Sequence, residues 1–320
     1  GDEDGLTLRR LAAYRDAKRD LATGRVLPFE TLEGLRSRFH GDRTSAEVLE
    51  LTKAQLTDGQ KIGLQRKAQE ADVAIEFDPA RYDAVRLYVY AYEMGLSEAI
   101  RDELLRKART TAERLPVRFE HAGILLDVSA SMVGHETHAR RPISVALALR
   151  DLLAETAERA TIATSDKRMA PVGELIEPVG DTSLAAGLVA LLKREPDVVF
   201  VLTDGYENAP AGRFAEVVRA VRRMGVETPI HQFSPVFAAE ARGVRSLCEA
   251  VPGLPVSKPE AMGLGLLKAL FEADAERGVS ALLGMIRPAL LEASGSSAPV
   301  SYTHLTLPTM IKRCSYRWAG

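Results

Sequence analysis

Three observations predict an α/β protein with a doubly wound, mostly parallel sheet, preceded by an all-α helical repeat or bundle. Residues 1–117 carry helix signals and no strand pattern. From Phe119 onward, short apolar runs alternate with segments of helical period, the order expected of parallel strands joined by crossover helices. Two of those runs, Ile124–Leu126 and Val198–Leu202, are apolar without alternation, as strands covered on both faces are.

The chain has 320 residues, 46% hydrophobic and 27% charged, enough for one large or two medium domains. A net charge of −2 argues against a strongly basic nucleic-acid surface and against an acidic tail. Cys248 and Cys314 offer neither a disulfide framework nor metal-ligand spacing, which fits a reducing compartment. No apolar run has transmembrane length and the start shows no signal-peptide pattern, so the expectation is a cytoplasmic protein without membrane contact.

The first helix is expected from near Thr7 to Ala22, stopping at Gly24, and the second opens at Pro28, a residue suited to the first helical position. Thr44 with Glu47, and Thr57 with Gln60, have capping-box spacing for a third and a fourth. A fifth runs from Asp78-Pro79 to Gly95, and Ser97 caps a sixth reaching Arg114. Tyr82, Tyr88, Tyr90 and Tyr92 on the fifth helix are read as packing residues rather than a base-stacking platform. Arg101, Arg106, Lys107 and Arg109 are offset by acids and are read as a solvated face. The segment begins at Gly1 and is expected to be the end of a larger helical domain.

The α/β domain is expected over 118–275. Its helices are Pro142–Ala157, Thr182–Lys193, Arg213–Met224 and Glu260–Ala273. Its strands are the one ending at Leu126, Ala160–Thr164, Asp197–Thr203, Pro229–Ser234 and Leu254–Ser257, with Val172–Ile176 as a short edge strand. Residues 276–299 are expected to form a helix and linker. Val300-Ser-Tyr-Thr-His-Leu-Thr-Leu-Pro-Thr309 resembles a translated sequencing adapter, so 300–320, with Trp318 and Cys314, is read as a non-native tail.

The chemistry gathers where strands end. Magnesium and similar hard cations take oxygen ligands in a near-octahedral shell. Asp127-Val-Ser129-Ala-Ser131, directly after the first strand, aims three such oxygens at one point. More must come from elsewhere: Thr182 in Gly180-Asp181-Thr182-Ser183, and Asp204 at the end of another apolar strand, close the set. In open parallel sheets, ligands collect at these carboxyl ends. A blander reading makes Asp127 and the serines a helix cap. A rival one makes Asp127 the nucleophile of a phosphohydrolase, but such enzymes place a second acid two residues on, where this chain has Ser129. His135 and His138 lack the rest of a zinc-binding helix and are placed in a rim loop. Cys248 is read as a buried, inert thiol on a helical segment. Glu207 and Asn208 are placed at the rim, where they would select a partner.

The order Asp-Xaa-Ser-Xaa-Ser, then Thr182, then Asp204 resembles the metal-ion-dependent adhesion site of von Willebrand factor A domains, over the whole of 118–275. That resemblance implies that Ser129, Ser131 and Thr182 hold Mg2+ or another divalent cation directly. It implies that Asp127 and Asp204 act through bound waters, and that a protein partner supplies a carboxylate to the open position. Thr182 follows Gly180-Asp181 where the family has paired glycines, and Gly205 stands where it often has asparagine.

The layout, helices before a von Willebrand A domain, also resembles the Ro autoantigen family, whose helical ring (TROVE) binds non-coding RNA. The likeness is carried by Asp127-Val-Ser-Ala-Ser-Met132 after a helix and an Arg-containing spacer, by Leu27-Pro-Phe29, and by Pro196-Asp-Val-Val-Phe200 leading into Thr203-Asp204. It implies a non-enzymatic ribonucleoprotein component. The alternative is an adaptor of a MoxR-type AAA+ ATPase, a common bacterial setting for such fusions.

Overall fold

The structure, a computed structural model, describes residues 2–134, 139–236 and 244–295. The expectations for His135, His138, the 296–299 linker, Cys314, Trp318 and the 300–320 tail lie outside the described residues.

Five parallel strands form one sheet in the order β2-β1-β3-β4-β5. They are β1 (Phe119–Leu126), β2 (Ala157–Thr164), β3 (Val198–Leu202), β4 (Ile230–Pro235) and β5 (Gly253–Val256). After them or between them come α7 (Arg141–Glu155), α8 (Ala185–Leu192), α9 (Arg213–Arg223), α10 (Gly263–Ala273) and α11 (Ala275–Gly295). Before the sheet lie α1 (Asp2–Ala17), α2 (Phe29–Phe39), α3 (Ser45–Thr52), α4 (Asp58–Glu70), α5 (Ala84–Met94) and α6 (Glu98–Glu113). No helix among the described residues is long and apolar enough to cross a membrane.

Local signals place most helix starts. Thr44 accepts from the Glu47 N–H while the Glu47 carboxylate accepts from the Thr44 N–H, and Thr57 and Gln60 form the same reciprocal pair. Ser97 caps α6. Pro28 stands one residue before α2, not inside it. The expected first helix is broken: α1 ends at Ala17, and Asp20 accepts from the Ala22 N–H to start a separate 3₁₀ turn, Leu21–Gly24. The expected fifth helix is also two pieces. Asp78 caps a 3₁₀ turn over Pro79–Arg81, and Asp83 then starts α5 by accepting from the Arg86 N–H. Tyr82 therefore lies outside the helix.

Each face of the sheet is covered by its own layer. Ile124, Leu126, Phe200, Leu202 and Phe233 point to one side and pack with α7, α10 and, from the helical segment, Leu87, Tyr88 and Leu104 of α5 and α6. Leu125, Val199 and Val201 point to the other and pack with Leu188 and Leu191 of α8 and Phe214 and Val218 of α9. Gly187 lets α8 lie close on β1, since a Cβ there would stand 2.5 Å from Leu125 Cδ1. The elements α1 to α4 enclose a smaller core of their own around Leu32, Leu35, Val48 and Leu49. Thus α5 and α6 share the core of the sheet, Ile62 of α4 packs against its margin, and α1 to α3 close on the smaller core alone.

One expected strand is absent and one expected helix starts late, each for a visible reason. Val172–Ile176 forms no strand, because its backbone is bound by side chains of α7: the Gly173 N–H donates to Asp151 at 3.2 Å and Glu174 O accepts from Arg150 at 3.1 Å. Thr182 does not open a helix. Its N–H donates to Asn208 Oδ1 at 2.8 Å and its carbonyl accepts from the Ala209 N–H, so α8 starts only at Ala185. Cys248 is half-buried in an isolated bridge with Val251, not on a helix.

A fully buried ion pair joins α5, α7 and the loop after β2. Arg150 Nε donates to Asp151 Oδ1 at 2.8 Å, and Arg150 Nη2 donates to the Tyr88 hydroxyl at 3.0 Å. The Tyr88 hydroxyl in turn donates to Asp151 Oδ2. Arg150 and Tyr88 are 0% exposed and Asp151 2%. Beside them, Tyr92 donates to Ile176 O at 2.6 Å, and Tyr90 stacks on Phe77 with centroids 4.3 Å apart. These tyrosines are packed or hydrogen-bonded and do not present a row of free ring faces. Breaking a buried pair strands a charge, at a cost of about 3–5 kcal/mol. Asp151→Ala is expected to destabilise by that amount in urea unfolding, and Tyr88→Phe by about 1–3 kcal/mol for one lost donor.

His231 on β4 is buried against Phe200, its Nε2 without a hydrogen bond and 3.4 Å from Glu272 Oε2 on α10. Burial holds its imidazole below the ordinary value, against the pull of Glu272. The folded state therefore keeps His231 neutral, while the unfolded chain takes up a proton below about pH 6.5. Its contribution to stability is full above that pH and is lost as pH falls through the window below it. Urea midpoints between pH 7.5 and 5.5 are expected to fall more steeply in wild type than in His231→Phe.

Candidate metal centre

The sheet order reverses between β1 and β3: the chain leaves β1 to one side for β2 and crosses back to the other for β3. At the carboxyl ends of that pair stand Asp127 and, one strand over, Thr203 and Asp204, the place where open α/β sheets hold ligands. Asp127 is fully buried, and its N–H continues the ladder to Leu202 O at 2.9 Å. Its Oδ1 accepts from the Ser129 N–H at 3.0 Å and its Oδ2 from the Thr203 hydroxyl at 2.6 Å. Thr203 Oγ1 also accepts from the Gly205 N–H at 3.2 Å.

Ser129 Oγ and Ser131 Oγ lie 3.1 Å apart. Adjacent ligands of an octahedral ion with bonds near 2.1 Å are separated by about 3.0 Å, so the two hydroxyls stand as cis ligands would. The loop holding Thr182 runs alongside. The Val179 N–H donates to Val128 O at 2.8 Å and the Ala130 N–H to Gly180 O at 3.0 Å, bringing residues 179–182 against the Asp127–Ser131 turn. Thr182 is 2% exposed. Asp204 is half-buried and accepts from the Tyr206 N–H at 3.0 Å.

The electrostatics suit a cation. Among the described residues no lysine or arginine forms an ion pair with the Asp127 carboxyl, which burial above all pushes up to about 6, with Asp204 adding to the rise against the hydrogen bonds from Thr203 and Ser129. Burying an unpaired carboxylate is costly, and a metal ion removes the cost. No group of three or more His, Cys, Asp or Glu among the described residues is gathered to hold a metal. Any ion here relies on hydroxyls, and the donor set is hard oxygen throughout, suited to magnesium rather than zinc.

The five residues singled out in the sequence thus fall in one region, with Asp127, Ser129 and Ser131 linked by direct hydrogen bonds and Thr182 and Asp204 carried to them by neighbouring loops. Two supporting residues were not assigned roles from the sequence. Thr203 orients Asp127, and Ser165 accepts from the Val128 N–H at 3.0 Å to pin the turn from the end of β2. Thr203 is a hydroxyl residue directly after an apolar strand, a signal that the sequence does carry, whereas Ser165 follows the mixed strand β2. Glu207 and Asn208 are not free at the rim. Glu207 takes the Phe214 N–H at the start of α9, at 2.9 and 3.1 Å, and Asn208 holds the Thr182 N–H.

No protein-family model matches the sequence, and no curated protein matches it. Among solved structures, the chain is similar to the crystal structure of the Deinococcus radiodurans RO (RSR) protein, at 16% identity and a TM-score of 0.36, over 84% of this chain and 63% of that one. The chain thus spans less than two thirds of the length of that protein, and at this level no residue role is carried across.

Gly205 has φ +86°, and a Cβ there would lie 2.3 Å from Arg245 O. Gly205→Ala therefore forces the backbone of both segments apart, and is expected to destabilise the fold by about 1–3 kcal/mol, read as a lower urea midpoint.

Proposed function

We propose that the protein is a non-enzymatic, divalent-metal-dependent binding protein, in which Mg2+ held by Ser129, Ser131 and Thr182, with Asp127 and Asp204 behind it, takes a carboxylate from a protein partner. The observation that carries this reading is the pair of serine hydroxyls at ligand spacing beside a buried carboxylate that has no cationic partner among the described residues. Neutral hydroxyl ligands leave the ion's charge largely uncompensated, so it attracts an anionic sixth ligand. Thr203 keeps the Asp127 carboxylate turned and hydrogen-bonded, which is the role outer groups play at metal sites. Ser129 stands where aspartyl-nucleophile phosphohydrolases place a second acid, which supports the non-enzymatic reading.

The Ro-like layout extends this proposal to a ribonucleoprotein, with small non-coding RNA bound away from the metal. The tyrosines of α5 are not the RNA platform in this reading, since they are engaged in packing and hydrogen bonds.

Mg2+ titration by calorimetry tests the metal. Ser129→Ala, Thr182→Ala and Thr203→Val are each expected to lower affinity about tenfold or more while unfolding stays cooperative. Unchanged affinity in all three would overturn the site. RNA co-purification tests the second part: small RNA recovered equally with wild type and Asp127→Ala supports it, and recovery with neither removes it.

A further inference from the structure

Tyr206 lies two residues beyond Asp204 and is 47% exposed. Arg245 lays its guanidinium over that ring, 3.9 Å from the centroid. The approach is possible because Gly205 has no side chain to strike Arg245 O. The segment is fastened from below: Gln232 Nε2 donates to Arg245 O at 2.7 Å, and Gln232 Oε1 accepts from the Leu247 N–H at 2.9 Å.

The Arg245 side chain is exposed and forms no ion pair among the described residues. Two other arginines are engaged. Arg140 forks onto Glu177 at 2.7 and 2.9 Å, and Arg168 bonds Asp166 and Glu177 O. Stacking on an aromatic ring restrains a guanidinium without consuming its N–H donors, leaving the planar fork that fits a carboxylate.

We propose that Arg245, steadied on Tyr206, is a second anion contact beside the metal, so that the site selects a protein segment presenting two carboxylates, one for the ion and one for the guanidinium. The inference rests on the metal-site reading above. The open position on the ion accepts one carboxylate; the exposed fork next to it gives affinity only to a partner carrying another.

The test uses Mg2+-saturated protein and four probes followed by NMR titration: propionate, glutarate, adipate and inorganic phosphate. Glutarate or adipate is expected to bind about fivefold more tightly than propionate, the scale of one added rim ion pair. That preference is expected to fall to near one in Arg245→Ala and to shrink in Tyr206→Ala, with thermal midpoints checking that both variants fold. A preference that survives Arg245→Ala, its absence in wild type, or phosphate binding more tightly than either diacid overturns the proposal while leaving the metal intact. Binding of all four probes that ignores both Mg2+ and Asp127→Ala overturns the metal reading and this inference with it.

Discussion

Arg150 and Asp151 are adjacent on α7, both buried, and pairing with each other leaves further donors and acceptors on both. Their remaining hydrogen bonds reach Tyr88 on α5 and the backbone of Gly173 and Glu174 in the loop after β2. A buried charged pair tolerates little displacement, because every partner lost leaves a charge in an apolar interior. Three stretches distant in sequence are therefore held at one point. The loop so anchored goes on to Arg140 through Glu177, to Tyr92 through Ile176, and finally to Gly180 and Thr182 at the metal turn.

The same network explains why the helical segment is not one unit. Its last two helices supply part of the cover for a sheet face that would otherwise expose Ile124, Phe200 and Phe233. The four before them close around their own leucines. Burial thus divides the segment at α4, which gives Ala68 to the smaller core and Ile62 to the margin of the larger one.

At the other end of β1, packing and chemistry are coupled through Asp127. The strand is apolar because both its faces are covered, and the next side chain is a carboxylate in the same dry surroundings. The hydroxyl of Thr203, just after β3, and the Ser129 N–H bond this carboxylate, and the 179–180 backbone holds Val128 and Ala130 beside it. Position in the sheet, not local sequence, brings the Thr203 hydroxyl to Asp127.

Much of this was legible beforehand. Apolar runs marked the central strands, since a strand buried on both faces has no polar alternation. The capping boxes at Thr44 and Thr57 marked helix starts because their hydrogen bonds close within four residues. The hydrogen-bonded turn of Asp127, Ser129 and Ser131 follows from the same short range, whereas the metal assigned to it together with Thr182 and Asp204 is a proposal. What failed was whatever depended on distant partners. Val172–Ile176 has strand-like residues, yet α7 takes its backbone; Glu207 and Asn208 look free until α9 and Thr182 claim them. The sequence by itself determined the alternation of elements and the residue types at the strand ends, because periodicity and capping are short-range. Only the tertiary structure decided that Thr203 would hold Asp127, that Arg245 would rest on Tyr206, and that α5 and α6 would belong to the sheet, because each needs segments brought together by burial.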